Sequence, residues 1–98
     1  MSYWITELEL DEGVYWEAKG VPHELILRQI IDRGDSSEAI LEARVPFKPG
    51  IVYLQKNIRE PIVISEGLDI RVSNHHAEFG GVRISFNTIY RLEKRMYK

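Results

Sequence analysis

The sequence predicts an α+β fold that is mostly antiparallel β, arranged as a small curled sheet or barrel with one or two short helices. Residues 68–73 and 82–86 alternate between apolar and polar side chains, which is the two-residue period of a half-buried strand. Over residues 22–33 the apolar spacing changes to that of a helix. These observations together predict a sheet accompanied by helix.

The length and composition predict one globular domain spanning residues 1–98. The chain has 98 residues, of which 44% are hydrophobic and 29% are charged, and a chain of this size builds one core. No apolar run approaches the roughly 18–20 residues of a membrane helix, so no membrane partner is expected. The chain has no cysteine, which suits a reducing compartment, and we expect it in the cytoplasm.

The N-terminal residues predict a β-hairpin. Residues 3–10 and 14–18 each alternate as a strand, and the segment Asp11-Glu12-Gly13 between them is suited to a turn. Pairing the two runs would bring Trp4 and Trp16 onto the same side of the hairpin. Both tryptophans are therefore predicted to lie in the core.

Residues 22–33 predict a helix. Their apolar members cluster on one side of a helical wheel: Leu25, Ile26, Leu27, Ile30 and Ile31. Pro22 suits the first helical turn and Gly34 suits the position after a helix end. The alternative is a strand, which the β-branched residues and the turn-like residues 32–35 favour.

Residues 37–47 fit both a short helix and a strand. Ser37 and Glu38 lie in a segment that resembles a helix N-cap, while the alternation from Ala39 to Phe47 favours a strand. We prefer the strand, because a helix would have to stop immediately before Pro46. Residues 51–54 form a short continuous apolar run, as in a central strand.

Residues 61–86 predict an antiparallel sheet. Glu66-Gly67, Ser73-Asn74 and Gly80-Gly81 separate its runs, and Gly and Asn accept the positive φ of tight turns. Three chain reversals are therefore expected at these dipeptides.

The C-terminal residues 87–97 predict a last helix. Asn87 and Thr88 are good N-caps, and three apolar residues follow at spacings of three and four: Ile89, Leu92 and Met96. The alternative is a short last strand over residues 89–92.

The charge is unevenly distributed along the chain. Residues 1–49 hold ten acidic and five basic side chains, a net charge of −5, and residues 50–98 hold five acidic and eight basic, a net charge of +3. Such asymmetry can indicate a basic nucleic-acid face or a head-to-tail partner. The simpler interpretation is that the two halves complement each other within one fold.

Catalytic and metal-binding patterns are weak. His75-His76 with Glu78 has metal-ligand residue types, and His23 could add a ligand. Adjacent histidines point to opposite faces of a strand, so both could bind one ion only from a loop. Nucleophile and phosphate-loop motifs are missing. We therefore predict no metal site, no cofactor and no enzyme activity.

Two functions remain open. The preferred one is a non-enzymatic protein-interaction or regulatory module that self-associates as a homodimer, through a strand edge or through the C-terminal segment. The alternative is a small barrel that binds nucleic acid through cations and stacking aromatics. The candidate contact residues in either case are Arg83, Tyr90, Arg91, Lys94, Arg95 and Tyr97.

Overall fold

The described part of the chain is all β, so the α+β prediction is wrong. The computed structural model describes the backbone of residues 2–32, 37–46, 49–55, 62–65, 68–76 and 81–97, and the side chains of 4–31, 38–46, 49–54 and 81–97. These residues form nine strands and no helix: β1 (Ser2–Glu9), β2 (Glu12–Ala18), β3 (Val21–Asp32), β4 (Ser37–Arg44), β5 (Gly50–Gln55), β6 (Ile62–Ser65), β7 (Leu68–His76), β8 (Gly81–Thr88) and β9 (Glu93–Met96). A search of the described residues finds no helix that could span a membrane.

The strands form two antiparallel sheets rather than a barrel. The first has the order β1-β8-β7-β6 and the second has the order β5-β4-β3-β2-β9. Each sheet ends in two edge strands, whereas a barrel would close on itself. The predicted antiparallel character is confirmed, and the predicted barrel is wrong.

One hydrophobic cluster joins the two sheets. Its members come from six strands of the two sheets plus Val45: Leu8, Val14, Trp16, Leu25, Leu27, Ala39, Leu41, Ala43, Val45, Leu54, Val82, Ile84 and Phe86. Along β8, Val82, Ile84 and Phe86 alternate with Arg83 and Ser85, so one face of the strand turns towards this cluster. The sheets therefore pack face to face around one core, as in a β-sandwich. A small single domain is the result.

The predicted helix at 22–33 is the long strand β3. The register of β3 with β4 shifts between Leu27 and Gln29, and the extra residue of such a bulge moves the following side chains to the other face. Leu27 and Ile30 therefore both pack on the core cluster although they are three residues apart. Ile26, between two core leucines, is also fully buried. The bulge, together with the burial of Ile26 on the outer face, thus gives this strand the apolar spacing of a helix.

The predicted N-terminal hairpin does not form, because β1 and β2 belong to different sheets. β1 pairs with β8, whereas β2 pairs with β3 and β9. Asp11 does turn the chain, with a φ of 68°, but the turn leads from one sheet into the other. Trp16 lies in the core as predicted, while Trp4 is 43% exposed, which corrects the prediction for that residue.

The strand preferred for residues 37–47 is confirmed over β4 and takes the pattern of a half-buried strand, with Ala39, Leu41 and Ala43 in the core. Residues 47 and 48 lie outside the described residues. The run at 51–54 is also a strand, β5, but it lies at an edge of its sheet and not at the centre. Its continuous apolar sequence therefore leaves side chains at the surface.

The region 61–86 contains three antiparallel strands, β6, β7 and β8. The reversal predicted at Ser73-Asn74 is wrong, since β7 continues through both residues and accommodates them with a register shift between Val72 and Asn74. The predicted turns at Glu66-Gly67 and Gly80 lie outside the described residues. Gly81 is the first residue of β8.

The predicted C-terminal helix is also wrong. Asn87 and Thr88 are the last residues of β8, and β9 begins at Glu93, beyond the alternative strand predicted at 89–92. The Thr88 hydroxyl accepts a hydrogen bond from the Tyr90 N–H at 3.0 Å. The Thr88 side chain thus satisfies a nearby backbone N–H, as an N-cap would. The residues that follow form a bend between β8 and β9, however, and not a helix.

Candidate functional site

The six predicted contact residues do not form one continuous basic face. Arg83 lies on β8, in the four-stranded sheet, while Lys94 and Arg95 lie on β9, in the five-stranded sheet. Arg83 is opposite Glu7 in the register of β1 with β8, and its Nη2 lies 2.6 Å from the Glu7 carboxylate. This cation is already engaged across the two strands.

The cations of β9 are likewise paired with carboxylates. Lys94 Nζ is 3.4 Å from Glu12 Oε2 and Arg95 Nη2 is 2.9 Å from Glu93 Oε2. The hydrogen bond from Arg95 to Glu93 raises the pKa of the guanidinium. The Arg95 guanidinium also lies 3.8 Å from the centre of the Tyr15 ring, which is cation–π geometry. The pairing of β9 with β2 therefore sets basic C-terminal residues against the acidic N-terminal half.

Tyr97 packs against the outer face of the five-stranded sheet. The Arg44 guanidinium lies 5.9 Å from the centre of its ring, and the Tyr97 hydroxyl is buried without a hydrogen bond of good geometry. Burial, reinforced by the nearby Glu24 carboxylate, raises the pKa of Tyr97 to about 12. This tyrosine is therefore a packing residue rather than a free stacking platform.

Tyr90 and Arg91 lie on the crossing between β8 and β9. Tyr90 is partly buried against the core cluster, whereas Arg91 is exposed. Among the described residues no carboxylate pairs with Arg91, which lines a shallow cleft of about 550 Å³ beside Tyr15 and Trp16. Of the predicted cations, Arg91 is therefore the one whose charge is available to a partner without breaking an ion pair described here.

An ion-pair network centred on Arg28 was missed by the sequence analysis. Arg28 donates to the Asp11 carboxylate at 2.9 Å, to the Glu42 carboxylate at 3.0 Å and to the Tyr97 carbonyl oxygen at 3.1 Å. The bond to Asp11, followed by that to Glu42, raises the pKa of Arg28. Arg44 also binds Glu42, at 2.8 Å. The predicted helix at 22–33 does not place Arg28 beside Glu42, whereas a strand at 22–33 that pairs with β4 does.

The histidines do not form a metal site among the described side chains. His23 is buried against Trp16, with ring centres 5.3 Å apart, and its Nδ1 lies 2.8 Å from the Val21 carbonyl oxygen. His75 and His76 are consecutive residues of β7, and their side chains lie outside the described set. Within that set, no three potential ligands of the His, Cys, Asp and Glu types come together.

The sheet edges differ strongly in polarity. β9 consists of four exposed residues, Glu93, Lys94, Arg95 and Met96. β1 carries two glutamates, Glu7 and Glu9, and β5 carries no charged residue. On β5, Ile51 is 53% exposed and Tyr53 is 57% exposed. The absence of charge in residues 50–55 is visible in the sequence, but the continuous apolar run 51–54 predicted a central strand and not an edge strand.

The comparisons with known proteins give no independent guide to these surfaces. No protein-family model, curated protein or solved structure matches this chain.

Proposed function

We propose that this chain is a non-enzymatic protein-interaction module that self-associates through the edge of β5. The carrying observation is that β5 is an edge strand without a charged residue that leaves Ile51 and Tyr53 more than half exposed. Open apolar strand edges are templates for pairing with another chain, and proteins normally protect them with charge. Here the protection is absent from the strand itself.

Comparison with β9, at the opposite edge of the same sheet, supports the choice of β5. An antiparallel pair of β9 strands with its two-fold axis between Lys94 and Arg95 would place these two cations opposite each other, and like charges directly opposite each other destabilise a sheet. Two β5 strands meet no such repulsion within the strand. The uncharged edge is therefore the better surface for self-association.

A two-fold axis gives a self-complementary arrangement of β5. With the axis at Val52, Ile51 of one copy lies opposite Tyr53 of the other, and the two five-stranded sheets become one continuous sheet of ten strands. Aromatic and β-branched pairs across strands each contribute about 0.2–1 kcal/mol. Ile40, which lies opposite Tyr53 on β4, extends the apolar surface behind this edge.

Sedimentation equilibrium of the full chain tests the proposal. We expect a concentration-dependent increase in mass above 11.4 kDa, and we expect Tyr53→Lys to weaken association at least tenfold by placing charge on the edge. Ile89→Lys is the matched control, because Ile89 is 67% exposed but lies beyond β8. A monomer at every concentration, or equal loss in both variants, would reject self-association through β5.

Nucleic-acid binding is the alternative proposal. Its support is the exposed Arg91, whereas Arg83, Lys94 and Arg95 would have to exchange carboxylates of this chain for phosphates. Retardation of single-stranded RNA at low salt, lost in Arg91→Ala and with rising salt, would favour it over self-association. No catalysis or cofactor enters either proposal, and we place both in the cytoplasm, which suits a chain without cysteine.

A further inference from the structure

The outer side of β1 is the open edge of the four-stranded sheet. β1 pairs with β8 on one side, and no described strand pairs with its other side. The Glu9 N–H donates to Glu12 Oε1 at 2.8 Å, so it points away from β8. Because N–H groups alternate in direction along a strand, that of Ile5 points to the same open side.

The side chains at this edge combine apolar surface with negative charge. Trp4 and Ile5 are exposed, the latter by 65%. At the other end of β1, a cleft of about 350 Å³ between the two sheets is lined by three glutamates and one lysine: Glu7, Glu9, Glu12 and Lys94. Lys94 pairs with Glu12, and Glu9 has no ion pair among the described residues. A cation that entered this cleft would meet an available carboxylate.

We propose that the β1 edge binds an extended protein segment in which basic and apolar residues alternate. The segment adds as a fifth strand to the four-stranded sheet and hydrogen-bonds to the outward N–H of Ile5. Its basic side chains lie on the face of β1 that carries Glu9, and its apolar side chains lie on the opposite face, along Trp4. The surface is separate from β5, so it does not depend on self-association.

Charge complementarity selects this class of partner. A basic segment is attracted by the Glu9 carboxylate, which has no ion pair among the described residues, whereas an acidic segment would meet like charge. A nucleic acid would be repelled by the same carboxylate, and its backbone lacks the alternating amide groups that pair with a strand edge. An extended basic polypeptide can both form backbone hydrogen bonds with the β1 edge and place a positive charge near the cleft.

Fluorescence anisotropy with synthetic peptides tests the proposal on the full chain. The probe is a blocked, fluorescein-labelled octapeptide of alternating lysine and valine. One control is an octapeptide of alternating glutamate and valine. The other is the lysine–valine peptide N-methylated at alternate residues, which removes the N–H groups on the peptide edge that would pair with β1. We expect at least tenfold tighter binding of the unmodified lysine–valine peptide than of either control.

Variants locate the binding on β1. Ile5→Pro removes one outward N–H, a substitution that an edge strand tolerates, and we expect it to weaken binding about tenfold, whereas Ile5→Val retains the N–H and the binding. We expect Glu9→Lys to weaken the lysine–valine peptide and strengthen the glutamate–valine peptide. Tyr53→Lys, which blocks the proposed dimer, leaves peptide binding unchanged.

Equal binding of the charged peptides, or equal binding of the N-methylated peptide, would overturn the inference. Because the two peptide controls need no change in the protein, they decide the question even if a β1 variant fails to fold. Failure of peptide binding with intact self-association would reject the β1 site alone.

Discussion

Arg28 reaches across the outer face of the five-stranded sheet to Asp11, with 2.9 Å between Nη1 and Oδ1. Asp11 is the residue at which the chain leaves the first sheet, and its own N–H donates to the Leu27 carbonyl oxygen while its carbonyl oxygen accepts from the Tyr97 N–H. The same guanidinium donates to the Tyr97 carbonyl oxygen. Arg28 therefore links Asp11, in the connection between the two sheets, to Tyr97 in the C-terminal segment.

The Arg28 contacts predict a specific loss of stability. We expect Arg28→Met to lower the free energy of unfolding by about 1–2 kcal/mol, since it removes charge-assisted hydrogen bonds at a partly exposed site. Arg28→Lys keeps the charge but not the planar fork, so it should recover only part of the loss. Urea unfolding measures both. Equal stability of Arg28→Met and the unchanged protein would show that solvent replaces these contacts.

Glu42 predicts a dependence of stability on acid. Arg44, and then Arg28, lower the pKa of Glu42 below its ordinary 4.5. A carboxylate with a lowered pKa in the folded state stabilises the fold above the unfolded pKa, and this contribution is lost as the pH falls through the folded pKa. We expect Glu42→Gln to be less stable than the unchanged protein at pH 7 and to converge with it below pH 4.5.

Urea unfolding at a series of pH values measures the Glu42 effect. Glu38→Gln on the same strand is the control, because Glu38 has no ion pair among the described residues. A stability difference for Glu42→Gln that stays constant down to pH 3 would contradict the assignment.

Tyr97 predicts a late phenol ionisation. Its pKa of about 12, against an ordinary 10.0, means that the folded state holds this proton more tightly than the unfolded state. The associated stability is present below pH 10 and is lost between pH 10 and about 12. Ultraviolet titration should lose its latest component in Tyr97→Phe. Tyr15→Phe, which removes the surface hydroxyl bonded to Glu17, should retain that component.

Gly13 predicts a steric limit on β2. A Cβ at this position would stand 2.5 Å from the Leu25 carbonyl oxygen and 3.0 Å from Ile26 Cα. Because both are backbone atoms of the neighbouring strand, we expect Gly13→Ala to cost about 2–3 kcal/mol. Gly20→Ala meets no atom within 4 Å and only a φ of 75°, at a cost of about 1–2 kcal/mol. Thermal unfolding of the two variants should rank them in this order.

The two tryptophans predict different responses to substitution. Trp16 is 1% exposed and lies in the core, so Trp16→Ala should cost about 3–5 kcal/mol. Trp4 lies at the exposed edge of β1, so Trp4→Ala should lower the free energy of unfolding by clearly less. Acrylamide should quench the fluorescence of Trp16→Phe, in which Trp4 remains, more strongly than that of Trp4→Phe. Equal quenching would contradict the exposure of Trp4.

A strand could be predicted from the sequence where every second side chain faces the core. Val82, Ile84 and Phe86 face the core cluster while Arg83 and Ser85 face the other side of β8, so the period of two is visible in the sequence. β3 was missed because a bulge after Leu27 changes the period and because Ile26 is buried on the opposite face. No local pattern separates such a strand from a helix.

The pairing of the strands was less predictable than their existence. Asp11-Glu12-Gly13 has the composition of a hairpin turn, but the choice between pairing β2 with β1 or with β3 is made by core packing across the sheets. The candidate cations lie in the C-terminal part of the sequence, while their carboxylate partners depend on that distant pairing. The partners of Arg28 could not be predicted for the same reason.

The pairing of β1 with β8 has a consequence for synthesis on the ribosome. Ser2 lies opposite Thr88 and Glu9 lies opposite Gly81, so β1 leaves the ribosome well before the strand with which it pairs. At about 5–20 residues per second, the intervening chain takes roughly 4–16 s to appear. For that period Trp4 and Leu8 have no native neighbour on β8, so β1 cannot take its place in the four-stranded sheet until residues 81–88 have left the ribosome.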